Sequence, residues 1–113
     1  MAEKLTCNGV IINGSSTKFD LTCTTDGDWI TKPKTPLLAG ETATFEVQKP
    51  VNLDFSIICK DAEGTQINCS GDMHHGAQAN KFQVAVTPTG KYGAVVDPAK
   101  TRENPAAVSW TIS

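Results

Sequence analysis

The chain has 113 residues, of which 39% are hydrophobic and 19% are charged, and its formal net charge is −2. This length suits a single domain, residues 1–113, with one modest hydrophobic core. The acidic balance and scattered lysines argue against binding to nucleic acid or anionic lipid, which require a basic face. No apolar stretch approaches the roughly 18 residues of a membrane span.

Alternating side chains predict the first two strands. Apolar residues alternate with polar ones over residues 5–11 and again over residues 19–23, as is typical of half-buried strands. The cluster Asn13-Gly14-Ser15-Ser16 between them predicts a turn. Cys7 and Cys23 are placed symmetrically about this turn, so we predict a hairpin that brings the two cysteines face to face.

The following segment, residues 24–40, is predicted to be a long connection. Turn-forming residues cluster at its start and two prolines follow, which argues against a helix or a central strand. Trp29 lies in this connection. If exposed, its ring would stack on a sugar or enter a membrane interface; the alternative is an anchor that caps one end of the fold. Asp28 and Trp29 are therefore candidate binding residues.

A second hairpin is predicted in the middle of the chain. Apolar residues alternate over residues 42–48 and 53–59, and residues 66–70 pair back on the second of these strands. Cys59 and Cys69 are centred on a turn that contains glycine. We expect these two cysteines to face each other as well.

The polar segment 71–80 is predicted to be a loop, and it carries the two histidines of the chain, His74 and His75. Adjacent side chains in an extended chain point in opposite directions, so the two rarely chelate one metal ion. A weak metal site that includes Asp72 is the alternative to a solvated loop. Both histidines are candidate binding residues.

The remaining strands are predicted at residues 81–87, 92–96 and 108–112. Trp110 alternates with apolar neighbours and is predicted to lie in the core. Tyr92 lies beside the turn that joins the first two of these strands, and it is a further candidate binding residue.

These patterns predict an all-β fold, an antiparallel β-sandwich of about eight short strands. Each strand has one apolar face, so two sheets must cover each other; a barrel is the alternative. We expect the sandwich to be stapled by two disulfides, Cys7–Cys23 and Cys59–Cys69. An even cysteine count in a small chain fits an extracellular, secreted domain. Four reduced, buried cysteines are the alternative, and they would indicate a cytoplasmic protein.

The N-terminus has no apolar segment of a signal peptide, so a secreted protein would be a processed form with an added Met. We find no catalytic motif, and Asp26 and Asp28 beside Gly27 are interpreted as turn chemistry or as calcium-ligating oxygens. No enzyme activity, cofactor or metal is predicted.

We predict a non-enzymatic, toxin-like or effector-like secreted protein that recognises membrane lipid or a cell-surface protein through loops at one end of the sandwich. The alternatives are a small lectin that binds a glycan and a protein-interaction module. The sequence leaves the oligomeric state open.

One stretch resembles part of the aegerolysin-like family, small β-sandwich proteins of fungi and bacteria: Gly27-Asp28-Trp29-Ile30-Thr31-Lys32-Pro33, followed by Thr44-Phe45. The opening Ile11-Ile12-Asn13 and the ending Val108-Ser109-Trp110-Thr111-Ile112 are also similar to members of that family. The resemblance implies lipid recognition, sometimes as one half of a two-component pore, with Trp29 and Tyr92 as the membrane contacts.

Overall fold

The computed structural model describes residues 4–75, 79–98 and 103–113. Within these ranges the chain forms nine strands and no helix, which confirms the all-β prediction with one strand more than expected. The strands are β1 (Leu5–Asn13), β2 (Asp20–Thr25), β3 (Asp28–Thr31), β4 (Thr42–Lys49), β5 (Leu53–Lys60), β6 (Gln66–Met73), β7 (Lys81–Thr87), β8 (Ala94–Asp97) and β9 (Ala106–Ile112).

The strands form two sheets that pack face to face, so the predicted sandwich is confirmed. One sheet has five strands in the order β3-β4-β1-β9-β8, and the other has four in the order β2-β5-β6-β7. Neighbouring strands are antiparallel except β1 and β9, which run parallel. The first and last strands of the fold are therefore adjacent.

An aromatic cluster fills the centre of the core and joins the sheets. Trp110 of β9 is fully buried, as its sequence pattern predicts. Its ring centroid lies 5.7 Å from that of Phe45 on β4 and 6.1 Å from that of Phe55 on β5. Each such pair contributes about 0.5–1.5 kcal/mol beyond its buried area. The indole Nε1 donates a 2.9 Å hydrogen bond to the carbonyl oxygen of Gln83 on β7, in the facing sheet.

The predicted first hairpin is wrong. Strand β1 lies in the five-stranded sheet, where Cys7 pairs with Val47, whereas β2 lies in the other sheet, where Cys23 pairs with Ile57. The predicted bridge between Cys7 and Cys23 is therefore wrong as well, because both are free thiols on different layers.

The side chain of Asn13 explains why the turn does not form a hairpin. It is fully buried, and its Nδ2 donates to the carbonyl oxygens of Thr17, Leu37 and Leu38 at 2.7, 3.3 and 3.2 Å. Its Oδ1 accepts from the backbone N–H of Ser15 at 3.1 Å. These bonds hold residues 14–18 as a crossing from one sheet to the other.

The second predicted hairpin is present, but its register differs. Strands β5 and β6 pair around a turn at residues 61–65, with Cys59 opposite Ile67 and Cys69 opposite Ile57. The two cysteines are diagonal neighbours because the turn is centred one residue earlier than predicted. They too are free thiols, so the disulfide-stapled description is corrected.

The segment predicted to be a long connection contains structure of its own. Residues 28–31 form β3, an edge strand on β4 with an irregular register between Trp29 and Thr31. Farther along, Leu37 forms an isolated bridge with Phe19. Pro33 and Pro36 come shortly after the end of β3, which fits the rule that proline is tolerated at edges and strand ends.

Candidate functional site

The outer face of the four-stranded sheet carries a groove of about 500 Å³, which we call the polar groove. Side chains alternate between the core and solvent along each strand, so the outward positions of four adjacent strands converge here. The lining residues are Thr24, Thr25, Asp26, Asp54, Phe55, Ser56, Ser70, Gly71, Asp72, Lys81 and Gln83. Only the backbone of Gly71 borders the groove, because position 71 faces the core and the Phe55 ring fills the space where its side chain would lie.

Two carboxyl groups face each other inside the polar groove. Asp54 of β5 pairs directly with Asp72 of β6. The hydrogen bond with Asp72 raises the pKa of Asp54; desolvation and the charges of Asp72 and Asp26 act in the same direction, whereas His74 lowers it. A hydrogen bond between two carboxyl groups requires a proton between them. The pair therefore keeps one proton to a higher pH than an isolated Asp54 would.

A third carboxylate, Asp26, closes one wall of the groove. Its Oδ2 lies 2.8 Å from Lys49 Nζ, and its Oδ1 accepts from the backbone N–H of Asp54 at 3.0 Å. Desolvation raises the pKa of Asp26, but the hydrogen bonds from Lys49 and Asp54 outweigh it and bring the pKa below its ordinary value. This arrangement fixes the β2–β3 turn against β5.

The histidines join two loops at the same end of the sandwich. His74 Nε2 lies 3.0 Å from Asp72 Oδ2, and its Nδ1 lies 3.2 Å from Asn52 Oδ1. His75 Nε2 lies 2.7 Å from the carbonyl oxygen of Pro50. The β6–β7 connection is thus held against the β4–β5 connection, and His74 borders the polar groove through Asp72.

Asp28 and Trp29 lie on β3, toward this same end. Asp28 is exposed and pairs with Gln48 on β4. Trp29 is half-buried, and its ring centroid lies 5.9 Å from that of Phe45 and 6.4 Å from that of Phe55. Trp29 thus lies in a strand, not in a loop as predicted, and its ring packs on the edge of the core. This agrees with the alternative interpretation of Trp29 as an anchor.

Tyr92 lies at the opposite end of the sandwich, away from the other candidate residues. Its hydroxyl donates to Asp61 Oδ2 at 2.7 Å, and its ring centroid lies 5.1 Å from that of Phe19. Lys91 Nζ contacts the same carboxylate oxygen at 2.8 Å. The five predicted binding residues therefore divide into four at one end and Tyr92 at the other.

The outer face of the five-stranded sheet carries a second groove of about 490 Å³. It lies over Gly9 of β1 in the same way that the polar groove lies over Gly71. Val10 and Ala107 give it a more apolar lining, and it holds fewer charged groups than the polar groove.

Three members of the polar groove are not among the residues predicted from the sequence: Asp54, Ser70 and Gln83. Each occupies a polar position between two apolar ones, which indicates an outward side chain. That signal places them on a solvent face, but only the strand order and register bring the three strands together.

Within residues 4–75, 79–98 and 103–113, no group of three or more His, Cys, Asp or Glu side chains is arranged to hold a metal ion. The same part of the chain contains no helix long and apolar enough to cross a membrane.

Comparison with models of known protein families and with curated protein sequences finds no match to this chain. The resemblance to the aegerolysin-like family therefore depends on short stretches around Trp29 and at the two ends of the chain, and the lipid recognition that it implies stays a prediction.

Proposed function

We propose that the protein is a non-enzymatic binding module that takes a hydroxyl-rich ligand, a carbohydrate, into the polar groove. The observation that carries this proposal is the convergence of charged and polar side chains from four strands on one concave surface. Specificity for a small ligand usually comes from a small number of polar groups that converge in a pre-formed cleft.

The chemistry of the lining suits sugar hydroxyls, which both donate and accept hydrogen bonds. The carboxyl oxygens of Asp54 and Asp72 accept hydrogen bonds, while Lys81 and the amide of Gln83 donate them. The hydroxyl of Ser70 does either, whereas that of Ser56 already donates to Asn68 Oδ1 at 2.6 Å and accepts. A ligand that offered only donors or only acceptors would use about half of these groups.

The spacing of the acidic pair supports binding over hydrolysis. Glycoside hydrolases place their two carboxyl groups about 5–9.5 Å apart, to leave room for the sugar or for water. Asp54 and Asp72 lie directly opposite each other on adjacent strands, and their hydrogen bond raises the pKa of Asp54, so the two carboxyl groups engage each other and do not flank an open gap. Asp26 is already engaged by Lys49 and by the backbone of β5.

Membrane-lipid recognition, the leading prediction from sequence, has less support in the geometry. It depended on an exposed Trp29, whose ring packs against Phe45 and Phe55. Among the described residues, the large hydrophobic side chains left exposed lie on three strands of the five-stranded sheet and in two connections. They are Ile12, Ile30, Leu38, Val51 and Val95. Binding to a cell-surface protein stays a prediction, and the glycan proposal takes precedence over both.

The proposal includes the extracellular location predicted from the sequence, because glycans are displayed mainly outside cells. The four cysteines are free thiols in the structure, so the cysteine count adds no support for it.

A glycan array with competition by free sugar tests the proposal, followed by calorimetric titration of the best glycan. We expect Asp54→Asn and Gln83→Ala each to weaken binding about tenfold, which corresponds to the loss of one or two hydrogen bonds. Asp20→Asn is the matched control, because Asp20 is exposed on the same sheet but outside the groove. The proposal would be refuted if no glycan gave a response that free sugar competes away. It would also be refuted if the groove variants bound the glycan with the same affinity as the wild type.

A further inference from the structure

We propose that Cys23, Cys59 and Cys69 form a thiol–disulfide relay across the four-stranded sheet. In this relay Cys23 is the entry point for an oxidant of the low-molecular-weight disulfide class, and a Cys59–Cys69 bridge is the end product.

The strand register places the three thiols in one contiguous group. Cys23 on β2 and Cys69 on β6 both pair with Ile57 of the central strand β5. Cys59 lies two residues farther along β5, on the same inner face. It is therefore the diagonal neighbour of both other cysteines.

The bridge requires a small movement of the strands. Diagonal neighbours have Cα atoms about 7–8 Å apart, whereas disulfides span about 4.4–6.8 Å. Strands β5 and β6 must approach or slide by about 1 Å to close the gap. The side chains of Cys59 and Cys69 already lie together in the core between the sheets, and Cys23 packs against that core.

Burial decides which cysteine meets the oxidant first. Cys7, Cys59 and Cys69 are fully buried, whereas Cys23 is partly exposed on the edge strand β2. The pKa of Cys23 is raised, chiefly by desolvation, although the positive charge of Lys32 opposes this. For Cys69, the hydrogen bond with Cys59 and desolvation both raise the pKa. Cys23 is thus the most accessible thiol of the four, and the charge of Lys32 favours its thiolate.

The exchange steps balance with glutathione disulfide as the oxidant. The Cys23 thiolate attacks one sulfur, which forms a mixed disulfide and releases one glutathione thiolate. Cys59, deprotonated, attacks the Cys23 sulfur and releases the second glutathione. Cys69 then attacks Cys59, and Cys23 leaves as a thiol. One glutathione disulfide is reduced, and the protein loses two hydrogen atoms.

The test is incubation of the folded protein with millimolar glutathione disulfide, followed by intact mass measurement and non-reducing peptide mapping. We expect the wild type to lose two hydrogens and to show a Cys59–Cys69 link. Cys69→Ser should accumulate a Cys23–Cys59 link, and Cys59→Ser should stop at a Cys23–glutathione adduct. Cys23→Ser should form the Cys59–Cys69 bridge at least about tenfold more slowly.

Cys7→Ser is the matched control, since burial raises the pKa of Cys7 to about 12 and Cys7 lies in the other sheet; it should behave as wild type. The wild-type mapping depends on no substitution, so a variant that fails to fold does not prevent the test. A folded wild type that stays reduced while the urea-unfolded chain oxidises would overturn the relay. So would a link that involves Cys7, or oxidation of Cys23→Ser at the wild-type rate.

Discussion

Gly71 lies directly opposite Phe55, and the Phe55 ring fills the space into which a side chain at position 71 would project. The same relationship joins Gly9 to Phe45 in the other sheet. The two phenylalanine rings meet with their centroids 5.5 Å apart. Each sheet therefore uses a glycine to admit the ring that contacts its partner sheet.

The first prediction follows from this packing. The methyl group of Gly71→Ala would clash with atoms of the Phe55 ring and press against Phe82. We therefore expect this substitution to destabilise the fold by about 1–3 kcal/mol. Urea unfolding measures the change. Gly93→Ala is the control, because the added Cβ there meets only the flexible hydroxyl of Ser113. Equal stability of the two variants would contradict this account of the core.

The second prediction concerns Asp61, in the β5–β6 turn. Its buried carboxylate accepts hydrogen bonds from the backbone N–H groups of Glu63 and Thr65, and from Lys91 and Tyr92. The bonds from Lys91 and then Tyr92 hold the pKa of Asp61 well below its usual range. Asp61→Asn removes the charge and cannot satisfy all four donors, so we expect a lower Tm at pH 7.

The pH dependence of that effect has a defined sign. A depressed folded-state pKa contributes stability above the ordinary value of about 3.9, and this contribution is lost as pH falls toward the folded-state pKa. The Tm difference between wild type and Asp61→Asn should therefore shrink below about pH 4. Thermal unfolding by circular dichroism measures it, with exposed Asp20→Asn as the control. A difference that does not vary with pH would show that the charge of Asp61 is unimportant.

The third prediction concerns the acidic pair of the polar groove. The hydrogen bond with Asp72 raises the pKa of Asp54, so the favourable protonated pair is present below the ordinary pKa and lost as pH rises through the raised one. Asp54→Asn replaces the acid with a neutral donor to Asp72. We expect its Tm at pH 7 to exceed that of wild type by about 2 °C, a typical size for an exposed substitution.

The excess should disappear at low pH, where Asp54 of the wild type is protonated. Thermal unfolding across the acidic range provides the comparison, again against Asp20→Asn. A lower Tm for Asp54→Asn at neutral pH would mean that Asp54 stabilises the fold as a charged group. That result would contradict the interpretation that Asp54 and Asp72 share a proton.

The fourth prediction tests the crossing between the sheets. Asn13→Ala would remove the partner of three carbonyl oxygens and of the Ser15 N–H, so we expect a loss of about 2–4 kcal/mol. Asn8→Ala, at an exposed position of the same strand, should be close to neutral. Denaturant unfolding distinguishes the two. A near-neutral Asn13→Ala would remove the proposed reason why β1 and β2 separate.

The sequence predicted the strands better than their partners. Period-two alternation reveals which face of residues 53–59 is apolar, and a short turn places residues 66–70 beside them. Strand β1 instead pairs with β9, about a hundred residues later in the chain, and no local pattern reports a contact of that range. The symmetric placement of Cys7 and Cys23 about a turn-forming cluster favoured the local partner.

The candidate site was harder to predict for the same reason. Histidines and tryptophans stand out in a sequence, which favours His74, His75 and Trp29 as candidates, but the Trp29 ring packs on the core. Aspartates such as Asp54 look like ordinary solvent-facing residues. Asp54 is significant because it faces Asp72 across the pair of strands β5 and β6. The predicted register of that pair is centred one residue too late, so it does not place the two residues opposite each other.

The hydrogen bond from Trp110 to Gln83 has a practical consequence. The inward residues of β7, Phe82, Val84 and Val86, are only partly buried, so this strand has the weakest cover in its layer. The indole of Trp110 is shielded from solvent, and its Nε1 is hydrogen-bonded to the backbone of β7. In a Trp29→Phe variant its fluorescence will therefore shift to the red when β7 separates from the sandwich, which makes Trp110 an intrinsic, label-free reporter of the opening of that edge.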